Sequence, residues 1–252
     1  MKTILLKLAG PLQSWGTSSH FETRHTDYYP SKSGVIGLIA ASLGYKREQE
    51  EEIRHLNELD FAVRVDQQGN LLRDYHIAQV QSKKNEMVGN YGRNPERTYV
   101  TNRYYLEDAV FVVAISHEDD AFMDQILQAL KNPYFQPFLG KKSLPLVADF
   151  ILDVSKKGAL DSLKDLDWQA SSWYMKKNAK SENIRLEIYV DGHLSKKKAY
   201  QLRKDVVKSF SKENRRFGFR YEVCEFTTVQ NPYYVDKTDS NTKHDIFEAV
   251  GG

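Results

Sequence analysis

Cysteine is nearly absent from this 252-residue sequence, in which Cys224 is the single example. One thiol cannot form an internal disulfide or a cysteine-based zinc site, and such sparse use is typical of a reducing compartment. Long apolar runs are missing too, and nothing approaches the roughly 20 residues that span a bilayer. Because Lys7 interrupts the apolar start MKTILLKLAG, we expect no signal peptide, no membrane partner and a cytoplasmic location.

Familiar catalytic and nucleotide-binding patterns are also missing. The sequence has no GxxxxGKS or GxxxxGKT loop to cradle phosphates, and no GxSxG turn to present a nucleophilic serine. Its seven histidines are scattered, without an HExxH pair or neighbouring cysteines that could hold zinc. We therefore expect neither a metal nor another cofactor.

Charge is small in total but uneven along the chain. The net charge is +2, yet residues 192–220 contain ten Lys or Arg against Asp205 and Glu213. Local positive charge on a near-neutral protein favours a polyanion bound along one face. A solvated lysine-rich surface is the alternative, and we prefer it for residues 196–198 alone.

The clearest helix signal follows a polar, aromatic loop in residues 11–44. Ser31 can cap the helix after Pro30, and Gly44 can end it. Its apolar residues recur at helical spacing: Val35, Leu38, Ile39 and Leu43. The first turn combines free backbone amides with Ser31, Lys32 and Ser33, which predicts an anion site at the positive end of the helix dipole. Ordinary capping beside a solvated lysine is the alternative.

A second unusual segment spans residues 81–105, which lack a helical period. It interleaves five cations with four tyrosines: Lys83, Lys84, Arg93, Arg97, Arg103, Tyr91, Tyr99, Tyr104 and Tyr105. Cations supply phosphate contacts and tyrosines supply faces on which bases stack. The alternative is an extended hairpin whose tyrosines pack on its own surface.

The order of elements predicts an α+β fold. Residues 1–155 are typical of strand, helix, strand, long hairpin, strand, helix and strand, which is a modified ferredoxin-like (RRM-like) arrangement. The hairpin would form a thumb at about residues 80–106. Residues 156–252 are predicted to form a smaller, strand-rich C-terminal lobe.

Several motifs together resemble one known family. They are PLQSWG (11–16), F-x-x-R (21–24), PSKSGVIGLIAASLG (30–44), RYYLEDA (103–109), FLGKKSLPL (138–146) and RRFGFRYEV (215–223). In this order they resemble the CasD family, the Cas-five subunits of the type I-E CRISPR Cascade complex and members of the RAMP superfamily. The chain departs from the family around Leu144, where arginines and a cysteine are more usual.

The resemblance implies a noncatalytic subunit that binds crRNA in antiviral defence. Such a subunit holds the crRNA 5' handle, caps the CasC backbone, abuts the large CasA subunit and meets target DNA through the assembled complex. Trp15 is assigned to packing, since a Trp directly after a first strand is more often core. Together with the basic and aromatic patterns, the resemblance predicts RNA contacts at Gln13, Ser14, Arg24, Ser31, Lys32, Ser33, Lys83, Lys84, Tyr91, Arg93, Arg97, Arg103, Tyr104, Lys141, Lys142 and Ser143.

A metal-independent endoribonuclease is the alternative function. Such an enzyme needs only a general acid, a general base and a cation beside the strained phosphate. His25, Tyr28, Tyr29 and Lys32 lie on one stretch of sequence and could form that set.

Overall fold

The computed structural model describes residues 1–17, 23–79 and 98–235. Within these ranges the strands are β1 (Lys2–Ala9), β2 (Leu12–Gln13), β3 (Thr23–Arg24), β4 (Asp60–Gln67), β5 (Asn70–Gln79), β6 (Thr98–Glu107), β7 (Val110–His117), β8 (Ile151–Ser155), β9 (Asn183–Asp191), β10 (Gln201–Ser209) and β11 (Arg216–Gln230). The helices are α1 (Lys32–Leu43), α2 (Glu50–His55), α3 (Asp120–Lys131), α4 (Ala159–Asp165) and α5 (Ser172–Lys177). None of the helices in these ranges is long and apolar enough to cross a bilayer.

The larger sheet has seven antiparallel strands in the order β10-β11-β9-β4-β7-β1-β8. Strand β1 lies beside β7 in unbroken register, from the pair Lys2 and His117 to the pair Ala9 and Val110. Helices cover both faces at the centre, and β7 is continuously buried from Val110 to Ser116, in agreement with the nearly continuous apolar run of residues 109–116.

The sheet extends across both halves of the chain. Strand β9 joins it through β4, where Ala62 lies opposite Val190, because its alternating apolar residues complete the buried face. The strands of residues 183–230, which belong to the predicted strand-rich C-terminal lobe, therefore continue the first sheet.

Two apolar clusters sandwich this sheet. Ile4, Leu6 and Leu8 of β1 face α1 and α3, whereas Leu5 faces α4 on the other side. Burying an apolar side chain of this size contributes roughly 1.5–3 kcal/mol, so this alternation fixes the register of β1 strongly.

Helix α1 begins and ends as the sequence predicts. The Ser31 hydroxyl accepts a hydrogen bond from the Gly34 amide at 3.3 Å, and the αL residue Gly44 (φ +82°) closes the helix. A Cβ atom at position 44 would lie 2.9 Å from Tyr134, so this position needs glycine for space as well as for conformation.

A smaller sheet is formed by β2, β6, β3 and β5. Strands β5 and β6 pair antiparallel from Asn70 and Glu107 to Gln79 and Thr98. The segment between them, residues 80–97 of the predicted thumb, lies outside the described residues.

Candidate nucleic-acid interface

A groove of about 1230 Å³ runs along α1. Its walls come from four parts of the chain that are distant in sequence: the loop after β2 with β3, residues 45–48, residues 135–142, and the tip of the β10–β11 hairpin. The polar and charged side chains on these walls are Ser14, Arg24, Ser31, Ser33, Lys46, Arg47, Glu48, Gln136, Lys142 and Arg215.

Small residues of α1 form the floor. They are Gly34, Gly37, Ala40 and Ala41. A Cβ atom on Gly34 would lie 3.0 Å from the Trp15 ring, and one on Gly37 would lie 3.7 Å from Phe210. The small side chains therefore leave room for the groove and for these two rings, while the larger side chains of the helix pack into the core.

The groove carries an excess of positive charge. Arg24, Lys46, Arg47, Lys142 and Arg215 are all exposed, and none of them takes part in an ion pair within the described ranges. Partial burial, followed by the like charges of Arg47 and Arg24, lowers the pKa of Arg215. An anion bound among these arginines would relieve that repulsion.

The loop of residues 138–146 brings Lys142 to the groove. The Ser14 amide donates to the Leu139 carbonyl at 3.1 Å, which joins this loop to the segment after β2. Gly140 has a φ of +88°, and a Cβ atom there would lie 2.1 Å from the Ser14 carbonyl oxygen. The two motif segments PLQSWG and FLGKKSLPL are thus held in direct contact.

We expect Gly140→Ala to destabilise the protein by about 2 kcal/mol or more, because the αL backbone disfavours a side chain and the new methyl collides with backbone. Urea unfolding measures the change. Gly37→Ala is the matched control: its Cβ meets ordinary contacts, and the gain in helix propensity should stabilise by up to about 1 kcal/mol. Equal stability of the two variants would contradict the close contact at Ser14.

The start of α1, predicted as a phosphate seat, is filled by the protein's own carboxylates. The Lys32 amide donates to Asp205 Oδ2 at 2.8 Å, and the Lys32 ammonium donates to Asp191 Oδ2 at 2.9 Å. Lys32 is buried and does not line the groove, whereas Ser31 and Ser33 do. The helix dipole is therefore compensated from within the protein.

These carboxylates belong to a larger buried network centred on Arg220. Its guanidinium contacts Asp205 at 2.7 Å, Asp191 at 3.0 Å and Glu222 at 2.5 Å. Burial alone would lower the pKa of Arg220, but the three carboxylates raise it above its ordinary value. Arg203 joins the same network beside Asp205 and Glu222.

Tyr29 closes one side of this network. Its hydroxyl donates to Glu222 Oε2 at 2.7 Å, and its ring stacks on Tyr189 with the centroids 3.8 Å apart. The Arg203 guanidinium lies over the same ring at 4.1 Å. Burial is the main reason that the pKa of Tyr29 is raised.

Gln13 is a structural residue, which corrects its prediction as an RNA contact. Its side chain is fully buried, and its amide donates to the carbonyls of Leu8 and Ala109 at 3.1 and 2.8 Å. Its side-chain oxygen accepts from the Trp15 indole at 3.0 Å. The prediction that Trp15 packs in the core is confirmed, since only 4% of it is exposed.

The other predicted residues divide between the two sheets and the 138–146 loop. Arg103 lies beside Arg24 in the β3–β6 pair, and Tyr104 stacks on His25 with the centroids 5.3 Å apart. The Lys141 ammonium donates to the Tyr105 hydroxyl at 3.3 Å, and Ser143 is exposed on the same loop as Lys142. Outside the described residues lie Lys83, Lys84, Tyr91, Arg93 and Arg97.

Three groove cations were not among the predicted contacts. Arg215 belongs to the basic aromatic RRFGFRYEV motif, so that motif held a signal for it. Lys46 and Arg47 adjoin an acidic run that gives them no distinguishing pattern. They lie in the groove because the turn after Gly44 packs beside segments that are distant in sequence, and no local pattern indicates that packing.

Comparisons with known proteins agree on one family. Residues 3–221 match the model of the family described as CRISPR-associated protein (Cas_Cas5). The chain is 34% identical over 160 residues to the CRISPR system Cascade subunit CasD of Escherichia coli (strain K12), an alignment that covers 59% of this chain and 69% of the relative.

Two solved structures are similar over most of their length. A chain of a CRISPR RNA-guided surveillance complex matches with a TM-score of 0.74 and 30% identity, covering 93% of both chains. A crystal structure of a Cas protein matches with a TM-score of 0.61 and 29% identity, covering 93% of this chain and 98% of the other. The family match, the curated relative and these structures establish that the chain belongs to the Cas5 family of CRISPR-associated proteins.

Proposed function

We propose that this chain is the noncatalytic crRNA-binding subunit of a type I-E CRISPR Cascade complex and that it holds the crRNA 5' handle in the α1 groove. The observation that carries this proposal is the convergence of five cations without ion pairs, from distant parts of the described chain, on one groove. A flexible single strand can follow such a basic groove, and its phosphates would supply the missing counter-charges.

The groove also offers surfaces for bases. Phe135 is 44% exposed and lines the wall, and Phe138, Phe210 and Phe217 are partly exposed around it. Aromatic faces stack with any base, whereas the cations and the hydroxyls of Ser14 and Ser33 contact the backbone. This division predicts strong binding with modest base selectivity in the groove itself.

The relatives support the wider assignment. The CasD relative is named as a Cascade subunit, and the similar solved chain belongs to an RNA-guided surveillance complex. By the family resemblance, this subunit caps the CasC backbone, contacts CasA and meets target DNA through the assembly. The antiparallel order β4-β7-β1-β8, with α1 and α3 on one face, supports the ferredoxin-like interpretation of the first half.

The endoribonuclease alternative loses two of its four candidate groups to the buried network. Lys32 is paired with Asp191, and the Tyr29 hydroxyl is bonded to Glu222, so neither lies beside a groove phosphate. The pKa of Tyr29 is raised, which weakens it further as a proton donor or base near neutral pH.

Repeat RNA incubated with the pure protein in EDTA should stay intact. The physical reason is that the cation needed to stabilise the cleaving phosphate is committed to Asp191. Denaturing gel electrophoresis measures the products, and His25→Ala is the control. Site-specific cleavage that disappears in His25→Ala would contradict the noncatalytic proposal.

Binding of a single-stranded handle RNA should depend strongly on salt. Each phosphate neutralised on a single strand lowers the slope of log affinity against log salt by about 0.7, so three to five groove contacts give a slope of roughly −2 to −3.5. Fluorescence anisotropy of the full-length protein at several salt concentrations measures this slope. A slope near zero would contradict a phosphate-binding groove.

A further inference from the structure

The outer side of the β10–β11 hairpin carries an exposed aromatic surface that neither the groove nor the network uses. Tyr200, Leu202, Phe219 and Tyr221 are 50%, 64%, 63% and 62% exposed. Leu202 lies directly opposite Tyr221 in the strand pair, so these residues form one continuous surface, which we call the aromatic face.

Strand alternation explains why these residues point outward. Arg203, Asp205, Arg220 and Glu222 lie on the inner side, where the buried network holds them. On the outer side α4 covers Val223 together with the neighbouring strands, but this cover ends before Tyr221. The aromatic face is therefore the uncovered end of a sheet surface that is buried elsewhere.

Tyr200 and Tyr221 pack against the backbone of Gly192. A Cβ atom on Gly192 would lie 2.9 Å from Tyr221 Cβ and 3.2 Å from Tyr200 Cδ1, so both residues pack on bare backbone. Their ring centroids are 5.5 Å apart. Rings fixed in this way lose little freedom when a flat ligand binds on them.

A cation borders the aromatic face. The Lys204 ammonium lies 5.9 Å from the Phe219 ring centroid. The acids of this hairpin are occupied or remote: Asp205 and Glu222 are buried against Arg220, Glu225 pairs with Lys197 at 2.8 Å, and Glu213 lies in the connecting loop. The charge of Lys204 therefore complements a phosphate.

We propose that the aromatic face is a second binding site for single-stranded nucleic acid. Phe219 and Tyr221 are two residues apart on β11, about 7 Å along the strand, and each stacks one base. Lys204 contacts a phosphate. The groove is lined at this hairpin by Phe210, Arg215 and Phe217 and not by Phe219 or Tyr221, so this site binds a separate segment of nucleic acid.

Photocrosslinking of the full-length protein tests the site. The probe is a short oligouridine carrying 5-bromouracil, and mass spectrometry of the crosslinked peptides locates the contacts. Crosslinks should map to the peptide containing Phe219 and Tyr221. The double substitution Phe219→Ala with Tyr221→Ala should remove them and weaken binding by roughly 5-fold to 100-fold for each stacked ring.

Two comparisons separate this site from the groove and from a purely structural effect. Affinity is measured in a groove variant, Arg24→Ala with Arg47→Ala and Arg215→Ala, where the aromatic face should still crosslink. Trp173→Ala, which removes a 52% exposed ring from α5, is the matched control and should leave binding unchanged.

Unchanged affinity in the Phe219 and Tyr221 double variant would overturn the proposal. Protection of the aromatic face only when protein subunits assemble, without oligonucleotide crosslinks, would also overturn it and identify a protein interface. If instead the groove variant binds as well as the parent and the double variant does not, the groove assignment fails and the aromatic face stands.

Discussion

Arg220→Ala should lower the free energy of unfolding by about 3–5 kcal/mol, because it leaves three buried carboxylates with only Lys32 and Arg203 as counter-charges. Asp191, Asp205 and Glu222 are each 3% exposed or less, so water cannot replace the guanidinium. At this chain length the change corresponds to a fall in melting temperature of about 10 °C.

Urea unfolding followed by circular dichroism measures this effect. Arg216→Ala is the matched control, since Arg216 is an exposed arginine on the same strand and its loss should change stability by no more than about 0.5 kcal/mol. Arg220→Lys should fall between the two, because one ammonium cannot contact three carboxylates at once. Equal stability of Arg220→Ala and Arg216→Ala would contradict the central role of Arg220.

Local signals in the sequence were sufficient for the elements that frame the site. Ser31 and Gly44 bound α1 because capping depends on neighbouring backbone groups, and the apolar run of β7 predicts a strand buried on both faces. Gly34 and Gly37 leave space beside α1, and the structure gives that space to Trp15, Phe210 and the groove.

Long-range charge pairing could not be predicted in the same way. Lys32 is 159 residues from Asp191 in sequence, and no local pattern distinguishes it from a solvated lysine. The ten cations of residues 192–220 include Arg203 and Arg220, which the sequence did not distinguish from surface cations. Both are paired with buried carboxylates. Only the strand order β10-β11-β9 reveals which cations are neutralised and which, such as Arg215, stay open to a ligand.

Some of the predicted RNA contacts face the groove and others do not. Ser14, Arg24, Ser31, Ser33 and Lys142 line it, although they come from segments up to 128 residues apart. Gln13 is adjacent to Ser14 but lies on the opposite side of the chain, because strand alternation turns it into the core. The motifs therefore indicated the right region of the chain, but not which of their side chains face the ligand.

Replacing the three groove arginines by alanine should weaken handle RNA binding by roughly 100-fold to 1000-fold, about 10-fold for each lost phosphate contact. The combined loss should be somewhat less than the product of the single losses. Arg47 and Arg24 both repel Arg215 in the free protein, so removing one of these charges lowers the repulsion that remains.

Stability distinguishes this result from a folding defect. Because burial and like charges lower the pKa of Arg215, its charged form is disfavoured in the free protein, and removing the charge should leave the melting temperature unchanged or slightly higher. Affinity and stability would thus move independently, whereas Arg220→Ala lowers stability directly. Lys131→Ala, at the exposed end of α3 and outside the groove, is the matched charge control and should retain full affinity. Retained affinity in the triple variant, or a loss of stability equal to that of Arg220→Ala, would show that these arginines serve the fold rather than the RNA.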